Sequence, residues 1–232
     1  NHFEFSLSGS YLDSDGDDLQ FQEYSKEQKA EGLDWEEYKG LNLKMKYKDL
    51  SFQALFASRD KGIPNAPYRS DFGDKNCHGE ETNSFFELKY QYSIDINKTL
   101  VFRGYTNFFK YDAYYPFSNF PISPEKSLPL YFKSHALFEG NYWGGEGQFK
   151  WEMGLNNRLT LGTAYRDNYQ AENQFEYIFD ENQYKIYEPA LAPAGITNPY
   201  PDKSRGGDFP SSVISFYIQD EYIPVEQLSF TV

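Results

Sequence analysis

The sequence predicts an all-β fold: an antiparallel up-and-down transmembrane β-barrel, present in part as about nine strands of a larger barrel. Three observations carry that prediction. Apolar and polar residues alternate with period two along most of the chain, the connections alternate between short and long, and the apolar rows end in Tyr, Phe or Trp.

The first strand sets Phe3, Phe5, Leu7, Gly9 and Tyr11 against Glu4, Ser6, Ser8 and Ser10. The second has Leu41, Leu43, Met45 and Tyr47 opposite Asn42, Lys44 and Lys46, and the third has Leu50, Phe52, Ala54 and Phe56 opposite Ser51 and Gln53. The fourth is the cleanest, with Phe86, Leu88, Tyr90 and Tyr92 opposed to Glu87, Lys89, Gln91 and Ser93. Over 100–110 the pattern blurs, because Tyr105 and Phe109 share a face with Arg103 and Asn107. Alternation returns with Trp143, Phe149 and Trp151 against Glu146, Gln148, Lys150 and Glu152. Then come Leu159, Leu161, Thr163 and Tyr165, and after them Ile214, Phe216, Ile218 and Tyr222. No amphipathic helix is predicted. Both ends of the sequence stop in mid-alternation, so it reads as a section of a longer polypeptide.

Short connections fall at Lys48-Asp49, Asp95-Ile96-Asn97-Lys98, Leu155-Asn156-Asn157 and Pro224-Val225-Glu226-Gln227, each with turn-forming chemistry. Between them lie polar stretches predicted as long extracellular loops at approximately 13–35, 59–83, 111–133 and 167–211. Loops beyond ~15 residues are uncommon in compact domains, whereas outer-membrane barrels keep tight turns at one end and long loops at the other. A sandwich core would be rich in Val, Ile and Leu, but the chain has only four Val. Tyr11, Tyr38, Tyr47, Tyr92, Trp143, Trp151, Tyr165 and Tyr222 instead stand near strand ends, as an aromatic girdle does.

Composition narrows the function. The 35 acidic residues against 22 basic ones give a formal charge of −13, which repels phosphate backbones and leaves no nucleic-acid partner. A single Cys excludes an internal disulfide and a multi-cysteine metal site. A mean hydropathy of −0.75 would fit a disordered chain, but 19% aromatic residues would not. Half of each strand facing water, together with polar loops, explains the low hydropathy.

Phe216-Tyr217-Ile218-Gln219-Asp220-Glu221-Tyr222, a proline-bearing turn and Leu228-Ser229-Phe230-Thr231-Val232 together resemble a hallmark barrel hairpin of TonB-dependent outer-membrane receptors. Similar to the same family are Gly9-Ser10-Tyr11-Leu12-Asp13-Ser14-Asp15-Gly16, Arg59-Asp60-Lys61-Gly62-Ile63-Pro64 and Trp143-Gly144-Gly145-Glu146. The resemblance implies a section of a barrel of about 22 strands closed by a plug, located in the bacterial outer membrane. It implies capture of a scarce nutrient, such as a ferric siderophore or cobalamin, for uptake energised by the TonB complex. Neither a plug nor a TonB box is found in the sequence, so their contacts have no residue here to carry them. A passive porin and a soluble or cell-surface β-sandwich binding module are the rival readings.

No enzymatic activity is expected. His2, His78 and His135 are the only histidines and none lies near a nucleophile elbow. Glu36-Glu37 and Glu80-Glu81 are neighbours that a strand sends to opposite faces. Gly144-Gly145-Glu146-Gly147 precedes no helix, so it is no phosphate cradle and marks close packing or a bend. No cofactor is required.

Asp13, Asp15 and Asp17 alternate as calcium ligands do, making a loop calcium the one metal expectation, although Asp18 and Tyr24 break the EF-hand pattern. A solvated loop tip is the simpler reading. Cys77-His78 with Glu80 and Glu81 gathers ligand types, but packs them too tightly in sequence for tetrahedral geometry. The candidate ligand-binding residues are Arg59, Arg69, Arg103 and Arg166, for an anionic ligand, and Tyr111, Tyr114, Tyr115 and Tyr169, for stiff aromatic contact. The aromatic loops have a second reading, a lid whose rings pack on one another.

Overall fold

Hairpin follows hairpin along the chain. β1 (Phe3–Ser14), β2 (Glu36–Tyr47), β3 (Leu50–Gly62), β4 (His78–Asp95) and β5 (Lys98–Phe117) come first, followed by a small hairpin of β6 (Phe120–Ser123) and β7 (Lys126–Leu128). The long strands β8 (Phe132–Met153) and β9 (Asn157–Phe179) lead into helix α1 (Glu181–Leu191), then β10 (Arg205–Asp208), β11 (Ser211–Val225) and β12 (Leu228–Thr231). This computed structural model describes residues 3–23, 29–123, 125–154, 156–197, 205–225 and 228–231. His2, Tyr24, Leu155, Glu226, Gln227 and Val232, named above, lie outside the described residues.

The strands form one antiparallel up-and-down sheet in the order β1-β2-β3-β4-β5-β8-β9-β11-β12, with β10 added along β9. Among the described residues β1 and β12 are its two edges and do not pair with each other, so the sheet is open and not a closed barrel. The end carrying the tight turns is called lower below, and the end carrying the long connections upper.

Cross-strand partners share a face, so the register assigns every residue a side. One row runs Gly9, Leu41, Phe56, Ser84, Phe108, and a lower one runs Phe5, Met45, Phe52, Leu88, Gly104, Gly145, Tyr165, Ile214. This outer face is apolar and exposed: Phe5 is 58% accessible, Leu88 50% and Phe216 80%. On β5 its uncharged band covers 100–108, bounded by Lys98 below and Lys110 above. That matches the ~9 to 11 residues of a membrane-spanning strand. Lys98, Trp151, Leu159 and Asp220 lie in one row at the lower rim, with the Lys98 ammonium 5.7 Å from the Trp151 ring. Of the predicted girdle, Tyr38 instead faces inward beside Leu12 and Arg59.

Above the band the two faces exchange character. On the outer side stand Lys110, Asp112, Glu139, His135, Glu172 and Glu176; on the inner side stand Tyr111, Ala113, Tyr115, Ala136, Phe138, Phe175, Tyr177 and Phe179. The exchange on β9 depends on a bulge. Tyr142 pairs with Asn168 and Asn141 with Gln170, leaving Tyr169 as an extra residue that resets which side chains point inward.

The strands run further into the predicted loops than the sequence suggests. β3 continues to Gly62 and β4 starts at His78; β5 reaches Phe117, β8 starts at Phe132 and β9 reaches Phe179. Most of 59–83, 111–133 and 167–211 is strand or helix, hidden over 111–133 and 167–179 because the apolar rows change side there, and over 59–62 and 78–83 because those strand ends carry no apolar row. The inner apolar rows are covered by the connections. Phe120, Leu130, Phe132, Phe179, Tyr184 and Leu191 form one buried cluster, and Cys77, Ala113, Tyr115 and Ala136 another. Helix α1, unexpected from the sequence, is capped by Asp180, whose Oδ1 accepts from the Asn182 and Gln183 N–H groups at 3.1 and 3.0 Å. Pro189 near its end obscures it in the sequence, and burial of Tyr184 and Leu191 holds it.

Candidate functional site

Strand β3 carries Arg59 and Lys61 to the upper end of the inner face, just before the chain leaves the sheet. Arg59 grips Glu36 with both prongs, Nε to Oε1 at 2.8 Å and Nη2 to Oε2 at 3.1 Å. The Lys61 ammonium lies 2.8 Å from Asp34 Oδ1 and 3.5 Å from Glu36 Oε2. Held first by the Arg59 hydrogen bond, the Glu36 carboxyl stays below its ordinary range. Glu37, the other member of its pair, turns to the outer face and meets Lys39 at 2.8 Å.

Glycine places the first connection against this pair. A Cβ at Gly62 would lie 2.2 Å from the Leu33 carbonyl oxygen and 2.7 Å from Trp35 Nε1, so only a bare backbone admits that approach. The result is a recess of about 370 Å³ lined by Phe21, Arg59, Lys61, Ile63, Glu81 and Tyr111, with Gly62, Pro64, Asn65 and Gly79 completing the wall.

Lower on the inner face, a polar network crosses five strands. Arg103 Nε donates to Glu87 at 2.6 Å and its Nη1 to Glu146 at 3.3 Å; Gln148 and Tyr217 both donate to Glu146 Oε1, at 2.8 and 2.5 Å. The Arg103 guanidinium also stacks on Tyr105, 4.7 Å from its centroid. The Arg166 guanidinium lies 4.0 Å from the Tyr142 centroid and donates to Asn168 at 2.7 Å.

No family model matches the chain, and no curated protein or solved structure matches it.

The eight candidate ligand-binding residues are thus dispersed. Arg59 and Tyr111 share the recess. Arg103 and Arg166 belong to the inner wall lower down, engaged by the partners just described. Tyr115 is buried, its phenol 3.3 Å from that of Tyr111, and burial pushes its pKa up. Tyr114 faces outward, stacked between His78 and His135 at 5.3 and 4.7 Å. Arg69 ends the 3-10 turn Pro67–Arg69 with φ 65°, and the bulge residue Tyr169 is exposed. Lys61, Glu81 and Phe21 were missed as site residues, although Lys61 sits in the Arg59-Asp60-Lys61-Gly62 stretch and shares Arg59's parity.

Asp13, Asp15 and Asp17 are exposed, Asp13 at the end of β1, where it pairs across the strands with Glu37 and accepts the Tyr11 phenol at 3.3 Å, and Asp15 and Asp17 on the first connection. Gly16 turns there with φ 71°, packed where a Cβ would meet the Asp34 carbonyl. Among the described residues no group of three or more His, Cys, Asp or Glu is arranged to hold a metal ion. Cys77 is buried 3.9 Å from the Ser70 hydroxyl, and burial raises its thiol pKa to about 11. Many aromatics of the later connections pack on one another: Phe120 meets Phe132, Tyr177 and Phe179 edge-on at 5.0 to 5.4 Å. Those rings form the lid and leave little face for a ligand.

Proposed function

We propose that this sheet is a wall section of a TonB-dependent receptor barrel in the bacterial outer membrane, capturing a scarce nutrient at the cell surface for TonB-energised uptake. The observation that supports this reading best is the exchange of polarity between the two faces. A soluble sandwich has one dry and one wet face along its whole length. Here the outer face is uncharged and exposed over a bilayer's height and charged above it, while the inner face is polar at that height and apolar under the lid. Lipid on the outside below, water above, and an interior closed at the top account for all four zones.

The Gln219-Asp220-Glu221 hairpin, by the resemblance it carries, supports the family reading. Its strand β11 presents Ile214, Phe216 and Ile218 to the outer face and Tyr217 and Gln219 to the inner one. In this reading the open edges β1 and β12 join further strands, the bilayer covers the outer band, and the TonB complex and a plug act through parts of the polypeptide not in this chain. The role is binding and passage, without bond chemistry.

Fractionation with an intact-mass measurement tests the proposal. The protein is expected in the outer membrane, resisting an alkaline wash, within a polypeptide large enough for about 22 strands and a plug. A polypeptide that partitions into buffer without detergent would overturn it in favour of a sandwich, and ion conductance without TonB would make it a porin.

A further inference from the structure

We propose that the recess beside Arg59 and Lys61 receives an uncharged, hydroxyl-bearing solute of saccharide chemistry, and not an anionic chelate. The proposal rests on the receptor reading and names the substrate class for its upper inner face.

Charge pairing carries the inference. Two cations line the recess, and both are engaged: Arg59 by both oxygens of Glu36, and Lys61 by Asp34 and Glu36. A further carboxylate, Glu81, stands directly across from Arg59 in the β3–β4 register and also lines the recess. Arg59 and Lys61 therefore face Asp34, Glu36 and Glu81, and the balance is one negative charge. To bind here, an anion must settle among three carboxylates. It must also approach a chain of formal charge −13.

A hydroxyl group meets neither obstacle. A guanidinium has five N–H donors, and Arg59 directs two of them to Glu36, so it keeps donors to spare, whereas the three donors of Lys61 are met by Asp34 Oδ1, the Asp34 carbonyl and Glu36. Glu81 and Glu36 retain lone pairs to accept O–H donors. Phe21, Ile63, Pro64 and Tyr111 supply apolar surface for the C–H faces of a ring. The volume of about 370 Å³ falls within the ~300–1,000 Å³ of small-molecule sites. Ion pairs fixed before binding also hold their donors and acceptors in place, reducing the ordering cost.

The experiment uses the whole protein, purified in detergent, probed on an array of neutral oligosaccharides and with 2,3-dihydroxybenzoate and citrate as anionic probes. We expect binding to neutral oligosaccharides, with a Kd that is unchanged between about 0.05 and 0.5 M salt, where charge attraction would be screened. Glu81→Gln should weaken that binding about tenfold, by loss of an ionised acceptor. Tight binding of an anionic probe, weakened by salt and lost in Arg59→Gln, would overturn the proposal while leaving the receptor reading standing. Silence of the whole array would also overturn it. Failure of the receptor reading is seen separately, as solubility without detergent.

Discussion

Tyr217 on β11 donates its phenol to Glu146 on β8 at 2.5 Å, although β9 lies between those strands. The bond passes over Gly162, where a Cβ would stand 2.1 Å from the Tyr217 ring. Glycine on β9 is thus a groove that lets one wall residue reach another two strands away. A hydrogen bond to a charged group is worth about 1.5–3 kcal/mol, so Tyr217→Phe should lose that much stability in denaturant titration. Gly162→Val should lose at least as much, because it displaces the ring as well. The two changes together should cost far less than their sum; additivity would mean that the groove and the bond are unrelated.

Leu88 is half exposed at mid-band on the outer face, whereas Gln91 lies on the inner face. In a bilayer Leu88→Arg should cost about 2–4 kcal/mol, the depth-dependent cost of a cation facing lipid. Gln91→Arg should be mild. Unfolding in lipid vesicles reads both, and equal costs would contradict the assignment of faces.

Much of the lower half was legible in the sequence because one rule holds there throughout. Phe86, Leu88 and Tyr90 face one way, Glu87, Lys89 and Gln91 the other, and the register repeats this across the sheet. The upper half was not legible, for the same reason the fold works. Tyr111, Ala113 and Tyr115 continue the parity of Arg103, so an apolar row begins on the polar face and alternation looks broken. On β9 the bulge at Tyr169 adds a shift that no local pattern announces. Partner choice was also hidden: which groups engage Arg59, Arg103 and Arg166 is settled only when Glu36, Glu87, Glu146 and Tyr142 are placed beside them. Asp180 and the apolar positions Tyr184 and Leu191 were the available signs of α1, outweighed by Pro189.

The upper end should weaken in acid. Glu36 is held below its ordinary pKa first by the hydrogen bond from Arg59. For Asp112, burial acts upward, but hydrogen bonds from His135 at 2.6 Å and from Lys110 outweigh it and the pKa is lowered. A carboxyl depressed in the folded state adds stability that is complete above its unfolded pKa, near 4, and is lost as pH falls through the folded value. Hydrogen exchange at the upper ends of β2, β3 and β5 should therefore quicken below about pH 4, while the lower halves stay protected. Glu36→Gln should remove most of that pH dependence at β2 and β3. An unchanged acid response in that variant would assign it elsewhere.

The bulge offers the strongest test of how the wall and the lid are coupled. Tyr169 is the extra residue between Asn168 and Gln170, and above it Phe175, Tyr177 and Phe179 point inward to the lid rings. Deleting Tyr169 alone removes only the extra residue: Gln170 then follows Asn168 directly, still opposite Asn141, and regular alternation keeps the three rings inward. Deleting Gln170 as well, with the lower register kept, would turn Phe175, Tyr177 and Phe179 to water and Glu172, Gln174 and Glu176 into the apolar cluster. Burying carboxylates without partners is prohibitive, so in the double deletion the upper strand and the lid should detach together. Limited proteolysis is expected to cut within 118–131 and 181–197 in the double deletion, and in neither the parent nor the single deletion. The lower band, held by its own register, should stay resistant. A double-deletion variant with a protected lid would show that the inward set on β9 is fixed by packing alone.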